Sequence, residues 1–181
     1  MSTAEHVDPR TRRTRDALAR AMAETVLTAP LAEVSVAGLC RAAGVHRTTF
    51  YKHFRTVTEL ADAVLGDLFD QIDALGPLSD RGRFEDLLAH AAARRRTYAA
   101  LIGPDGDPAL SRAVAERLVA AVGRVPAASE RDGAVGVGTT ARVSGFAAYG
   151  AVEAVLLGAE PAAAARACEP ILASTEVLPD R

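Results

Sequence analysis

Arg47, Thr48, Thr49, Tyr51, Lys52 and His53 crowd one short stretch, interrupted only by Phe50, with His46 just before it and Arg55 just after. Arginine and lysine can reach the O6 and N7 of guanine in a major groove, and threonine and tyrosine hydroxyls can hold phosphate oxygens. The free N–H groups at the start of a helix would add an anion-seeking end. A second basic cluster, Arg10, Arg12, Arg13 and Arg15, lies upstream. Beside such a stretch it fits a phosphate-contacting start of a first helix; alone it fits equally a solvated basic terminus. The same polar set also fits an ordinary amphipathic helix pair with one wet face.

Three short helices must hold these residues. A helical pattern starts near Thr11, with Leu18, Met22, Thr25 and Val26 as its inward stripe, and Pro30 stops it. Ser35 can cap a second helix, SVAGLCRAA, which Gly44 ends. His46 occupies the next cap position, with Val45 and Phe50 as a hydrophobic staple, so the third helix runs roughly from Arg47 to Phe54. Phe50 and Phe54, four apart, face the same way and can share a small core with Leu39, Cys40 and Val45. Two short helices about a tight Gly44 turn meet the requirements of a helix-turn-helix.

Further along, Thr56 and Glu59 have capping-box spacing and open a long helix through about Asp73. Gly76, Pro77 and DRGR mark a change of element. Helices are expected near Arg83–Leu101, Ala109–Val122, Thr140–Leu157 and Pro161–Ala173, with no strand alternation between them. The expectation is an all-α chain: a flexible arm over 1–10, a helix-turn-helix domain over 11–55, a connecting helix over 56–75 and an effector-binding, dimerising helical bundle over 76–181.

Composition narrows the function classes. The formal charge is −2, yet residues 1–55 carry nine Lys and Arg against five Asp and Glu, and the remainder twelve against eighteen. A basic front on an acidic body suits a module that meets phosphate joined to one that does not. Cys40 and Cys168 lie outside any metal-ligand spacing and read as reduced, buried small residues. Gly133, Gly136 and Gly138 in DGAVGVGTT lack the Walker lysine and a preceding strand, so they read as a flexible connection. The His and Cys residues form no triad or metal constellation; neither an enzyme nor a cofactor is expected. MSTAEHVDPR has no signal-peptide apolar run and no window is uncharged enough to cross a bilayer, which predicts a cytoplasmic protein without membrane contact.

The segment VSVAGLCRAAGVHRTTFYKHFRTVTEL closely resembles the signature of the TetR family, the tetracycline-repressor type, most strongly over AAGVHRTTFYKHF and with support from Leu60, Arg15 and Leu18. The motif region spans about residues 15–65; the remainder is similar mainly in length and helical organisation. The resemblance implies a homodimeric regulator that binds a palindromic double-stranded DNA operator through an N-terminal three-helix domain, released as a repressor by a small-molecule effector in the C-terminal domain. It places Ser35 as a backbone-phosphate contact, Arg47 and Thr48 at base-reaching positions, and Thr49 on phosphate or thymine. Tyr51 would pack on the sugar-phosphate backbone, Lys52 reach base or phosphate, His53 contact phosphate, and Phe54 close the motif from inside. His46 stands where the family often has Ser; a good neutral cap is lost, and His46 serves either as a pH-sensitive phosphate contact or as a plain helix cap. Val57 stands where a Lys usually lies, a loss that Arg55 and Lys52 are close enough to offset. Pro30 replaces a common turn glycine.

For the effector, the middle helices offer His90, Tyr98, Phe146 and Tyr149, apolar bodies with a few hydrogen-bonding tips. The small residues Ser144, Ala147, Ala148, Ala151 and Ala154 permit close helix contact; internal packing fits them equally by themselves, and the resemblance favours a dimer seam with Pro161–Ala173 across a two-fold axis. An activator, a regulator without a small-molecule effector, and a structural helical dimer without specific DNA binding are the competing readings.

Overall fold

The computed structural model describes residues 8–75, 80–123 and 134–173. The first seven residues of the expected arm, the Gly76–Pro77 break and the connection up to Gly133 lie outside them. The described residues are all-α, with ten α-helices and no strand. They fall into two compact units, Met1–Leu65 and Gly66–Arg181.

In the first unit, α1 (Pro9–Thr25) begins two residues earlier than the sequence pattern implied, because Asp8 caps it and proline suits its opening position. The Asp8 carboxylate accepts the Arg10 N–H at 2.9 Å. Val26 to Ala29 then form a turn, and a short 3-10 segment at Leu31–Glu33 follows Pro30. Helices α2 (Val36–Ala43) and α3 (Arg47–His53) stand where their caps placed them. Gly44 joins them at φ +66°, a left-handed conformation that costs a side-chain-bearing residue about 1–2 kcal/mol. The Val45 N–H reaches back to the Cys40 carbonyl at 2.9 Å, so the turn closes as a Schellman motif. Leu18, Ala21 and Met22 of α1 are buried, as are Leu39, Cys40, Phe50 and Phe54. Val45 is only half-buried.

The single helix expected over Thr56 to about Asp73 is two, α4 (Val57–Val64) and α5 (Gly66–Ala74). At Leu65 the backbone ψ of −2° interrupts the helical ladder one residue before Gly66. The expected capping box opens α4 in a shifted form. Thr56 Oγ1 accepts the Glu59 N–H at 3.0 Å, while Glu59 Oε2 accepts the Arg55 N–H, rather than that of Thr56, at 2.6 Å.

The second unit starts with α5 and continues with α6 (Arg81–Ala93), α7 (Arg95–Ile102), α8 (Pro108–Gly123), α9 (Ala134–Leu156) and α10 (Pro161–Ala173). The helix expected over Arg83–Leu101 is thus broken at Arg94, whose φ of −114° and ψ of 20° leave the helical range. The N-terminal turns of α9 correct another expectation: Gly136 and Gly138 lie inside a helix, not in a connection. Helices α8 and α9 make the most extensive contact. Its cause is Gly145, where a Cβ would stand 2.6 Å from the Val119 backbone nitrogen and Cα. The α9 face of Ser144, Gly145, Ala148, Ala151, Val152 and Val155 is therefore buried within the protomer. Ala147 and Ala154 sit at its margins.

Candidate nucleic-acid interface

The α3 helix is held from one side. Phe50 is fully buried and packs edge-on to Tyr51, ring centroids 5.4 Å apart, and at 5.9 Å from Phe54. Around that anchor Arg47, Thr48, Tyr51 and Lys52 are exposed, and Thr49 and His53 are half-buried. Tyr51 is a large aromatic that leaves 54% of its surface uncovered. Cations, hydroxyls and an amphipathic ring therefore share the outer side of one seven-residue helix.

The surrounding candidates divide. Ser35 Oγ accepts the Gly38 N–H at 3.1 Å and so caps α2; it remains exposed, with its own hydrogen available. His46 occupies the cap position of α3 but makes no side-chain cap bond, and its ring is exposed. Arg12, Arg13 and Arg55 are exposed. Arg15 has a role that sequence reasoning missed: its guanidinium lies 4.8 Å from the centre of the Phe54 ring. Such stacking uses the guanidinium face and leaves its N–H edge open. The signal was available only as the pairing of an arginine on one helix with an aromatic on another, which spacing cannot reveal. Arg41, exposed on the last turn of α2, is a further cation that the motif did not single out.

In the second unit the four effector candidates are not one constellation. His90 and Tyr98 meet, with Nε2 3.3 Å from the phenol oxygen. Tyr98 is almost fully buried, and burial pushes its hydroxyl up to about 12. Burial, and then the neighbouring Arg94, hold His90 below its ordinary value. Tyr149 donates its hydroxyl to the Ile102 carbonyl at 2.7 Å, fastening α9 to the end of α7. Phe146 lies on the outer side of α9, 42% exposed, with the Arg142 guanidinium 5.7 Å from its ring centre.

The described residues contain no group of three or more His, Cys, Asp or Glu placed to hold a metal ion, and no helix long and apolar enough to cross a membrane. Cys40 and Cys168 are both buried free thiols.

No family model matches the sequence, and no curated protein matches it. Solved structures do. A dihydroxyacetone kinase operon activator, DhaS, superposes with a TM-score of 0.64 at 15% identity, covering 89% of this chain and 94% of its own. NalD of Pseudomonas aeruginosa, the secondary repressor of a multidrug efflux pump, gives 0.60 at 19% identity over 89% and 96%. A TetR transcriptional regulator from Rhodococcus sp. RHA1 gives 0.56 at 18% identity over 93% and 99%. At these identities the likeness speaks for the fold, and nearly whole chains are matched on both sides. The chain has the fold of the TetR-type transcriptional regulators.

Proposed function

We propose that the chain is a sequence-specific DNA-binding regulator of transcription, acting as a homodimer and released from its operator as a repressor when a small molecule binds the C-terminal unit. The observation that carries this reading is the build of α3. Its apolar side is anchored by Phe50, while Arg47, Thr48, Tyr51 and Lys52 are left exposed around it. In this reading the helix-turn-helix of α2 and α3 enters a major groove. Arg47, Thr48 and Lys52 meet base edges, and Tyr51, Thr49, His53 and Ser35 fix the register on the backbone. Arg12, Arg13, Arg15, His46 and Arg55 supply further phosphate contacts.

Dimerisation is supported by where apolar surface is left over. Val143, Phe146, Leu157 and Ile171 are the large apolar side chains exposed among the described residues of the second unit. The first three, with Gly150, form one stripe at helical spacing along α9 and its end, and Ile171 lies on α10. A second copy covering this stripe gives the two-fold symmetry that a palindromic operator requires.

The fold neighbours include one protein described as an activator and one as a repressor, so the direction of control is tested rather than inherited. An effector switches the protein only if it binds one dimer geometry better than the other. His90 and Tyr98, a polar pair within an apolar bundle, support a small, partly hydrophobic effector.

Binding to promoter DNA beside the gene, at two salt concentrations, tests the reading. One segment should be preferred over random DNA. Arg47→Ala should relax that preference by about 1–3 kcal/mol, and Tyr51→Ala should weaken binding to all sequences alike. Salt-dependent binding without preference would overturn the proposal.

A further inference from the structure

The two units treat their cations differently. In the second unit Arg81, Arg83, Arg94, Arg112, Arg117 and Arg142 each pair with a carboxylate. In the first unit, among the described residues, no basic side chain does. Acids are not lacking there: α1 carries Asp16 and Glu24 among its arginines, while Asp8 and Glu59 are taken up by backbone N–H groups. The cations of the first unit therefore stand ready for an anion outside the chain.

Arg15 differs from the rest of that set. Among the described residues of the first unit it alone has its guanidinium over an aromatic ring, 4.8 Å from the centre of Phe54. That ring is fixed: Phe54 is 2% exposed, and its N–H bonds the Phe50 carbonyl at 2.9 Å. Phe54 closes α3, so the guanidinium sits at the end of that helix, beside the residues adjoining Phe54, His53 and Arg55. A ring face attracts the cation but accepts none of its hydrogen bonds in the plane. Arg15 is exposed, and its planar fork of N–H donors keeps the shape that phosphate oxygens fit.

We infer that Arg15 is a backbone-phosphate clamp on duplex DNA, positioned by the Phe54 ring, so that α1 adds a fixed contact beside the reading helix. It rests on the DNA-binding reading of α3 and carries no sequence information itself. The ring restricts the side chain before DNA arrives, so less freedom is lost on contact. A polyanion suits the place better than a single small anion, because exposed Lys52 and Arg55 lie within two residues of Phe54 and need phosphates of their own. Lysine at position 15 would keep the charge, but its compact ammonium lacks the planar fork.

The test uses the full chain and a random-sequence DNA duplex, with affinity read by fluorescence anisotropy from about 50 to about 200 mM salt. Arg15→Gln should reduce the slope of log affinity against log salt by about one. Arg20→Gln, about 7.5 Å further along α1, should leave the slope unchanged. Arg15→Lys should keep the slope yet bind about 2–5-fold more weakly at every salt concentration. Phe54→Leu should weaken binding by a similar factor, and no further once Arg15→Gln is present. A role in folding alone would lower the melting temperature and leave both slope and affinity at their native values. A native slope in Arg15→Gln, equal slope losses in Arg15→Gln and Arg20→Gln, or native affinity in Arg15→Lys would each overturn the clamp. So would the same cost of Phe54→Leu with and without Arg15. Arg15 is exposed, so the Arg15→Lys result stands even if Phe54→Leu fails to fold. A native chain that binds no duplex overturns the DNA-binding reading itself, which none of the other outcomes does.

Discussion

Replacing Gly145 by alanine adds one carbon where α9 touches the α8 backbone. That Cβ would stand 2.6 Å from both the nitrogen and the Cα of Val119, where real Cβ contacts essentially never fall under 3.0 Å. The obstacle is main chain, so no rotamer change relieves it, and the two helices must part. Overpacking of this kind costs up to about 3 kcal/mol. The change also gains helix propensity, about 1 kcal/mol for Gly to Ala. The cost wins, leaving a net loss of about 2 kcal/mol and a melting temperature lower by roughly 4–8 °C for a chain of this size. Gly138 is the control: it lies in the same helix, is exposed, and its added Cβ would meet nothing within 4 Å. Gly138→Ala should therefore keep the propensity gain and melt about 2–4 °C higher. Thermal unfolding followed by circular dichroism, at one protomer concentration because dimerisation would shift both midpoints, measures the pair. Gly145→Ala melting at or above the native chain while Gly138→Ala behaves as expected would refute the close approach of α8 and α9.

Phe146→Asp places a charge in the proposed dimer stripe and should shift the chain toward monomer in sedimentation velocity; unaltered dimers would remove this stripe from the interface. Val57→Lys, at the first position of α4, should tighten DNA binding and steepen its salt dependence by about one counterion without changing the preferred sequence. An unchanged affinity and slope would mean that the position does not face DNA. Tyr98 holds its proton to about 12, while an unfolded tyrosine loses it near the ordinary 10.0. Stability should thus fall as pH rises from the lower value toward the upper, by roughly 2–3 kcal/mol in full. Urea unfolding at about pH 9 and about pH 11.5 should show a smaller fall in Tyr98→Phe. Equal falls would argue against a buried phenol.

Local chemistry was legible and long-range packing was not. Ser35, Gly44, His46 and Thr56 stand at their expected helix boundaries because a cap is decided within four residues. Phe50 and Phe54 point inward because their spacing admits one face. The interruptions at Leu65 and Arg94 follow no proline, and only Gly66 lies beside either, so the sequence there reads as continuous helix. The glycine-rich start of α9 misled in the other direction, since local propensity argues for a loop where the chain is helical. On α9 itself nearly every residue is apolar or small, so sequence could not tell the face turned to α8 from the face left bare. Of the small-residue set, Ser144, Ala148 and Ala151 proved internal, while the bare stripe is Val143, Phe146, Gly150 and Leu157. The effector candidates were chosen by type, and only His90 and Tyr98 meet.

The stacking of Arg15 on Phe54 has an evolutionary consequence. It ties the first helix to the closing residue of α3 through a planar cation, which lysine cannot imitate. Arg47, Thr48 and Lys52 take no part in that clasp or in the buried core. A lineage can therefore exchange those outward residues one at a time, and surface changes of this kind usually move stability by less than about 0.5 kcal/mol. Binding preference and foldability can drift separately, with Arg15 and Phe54 on the side of foldability.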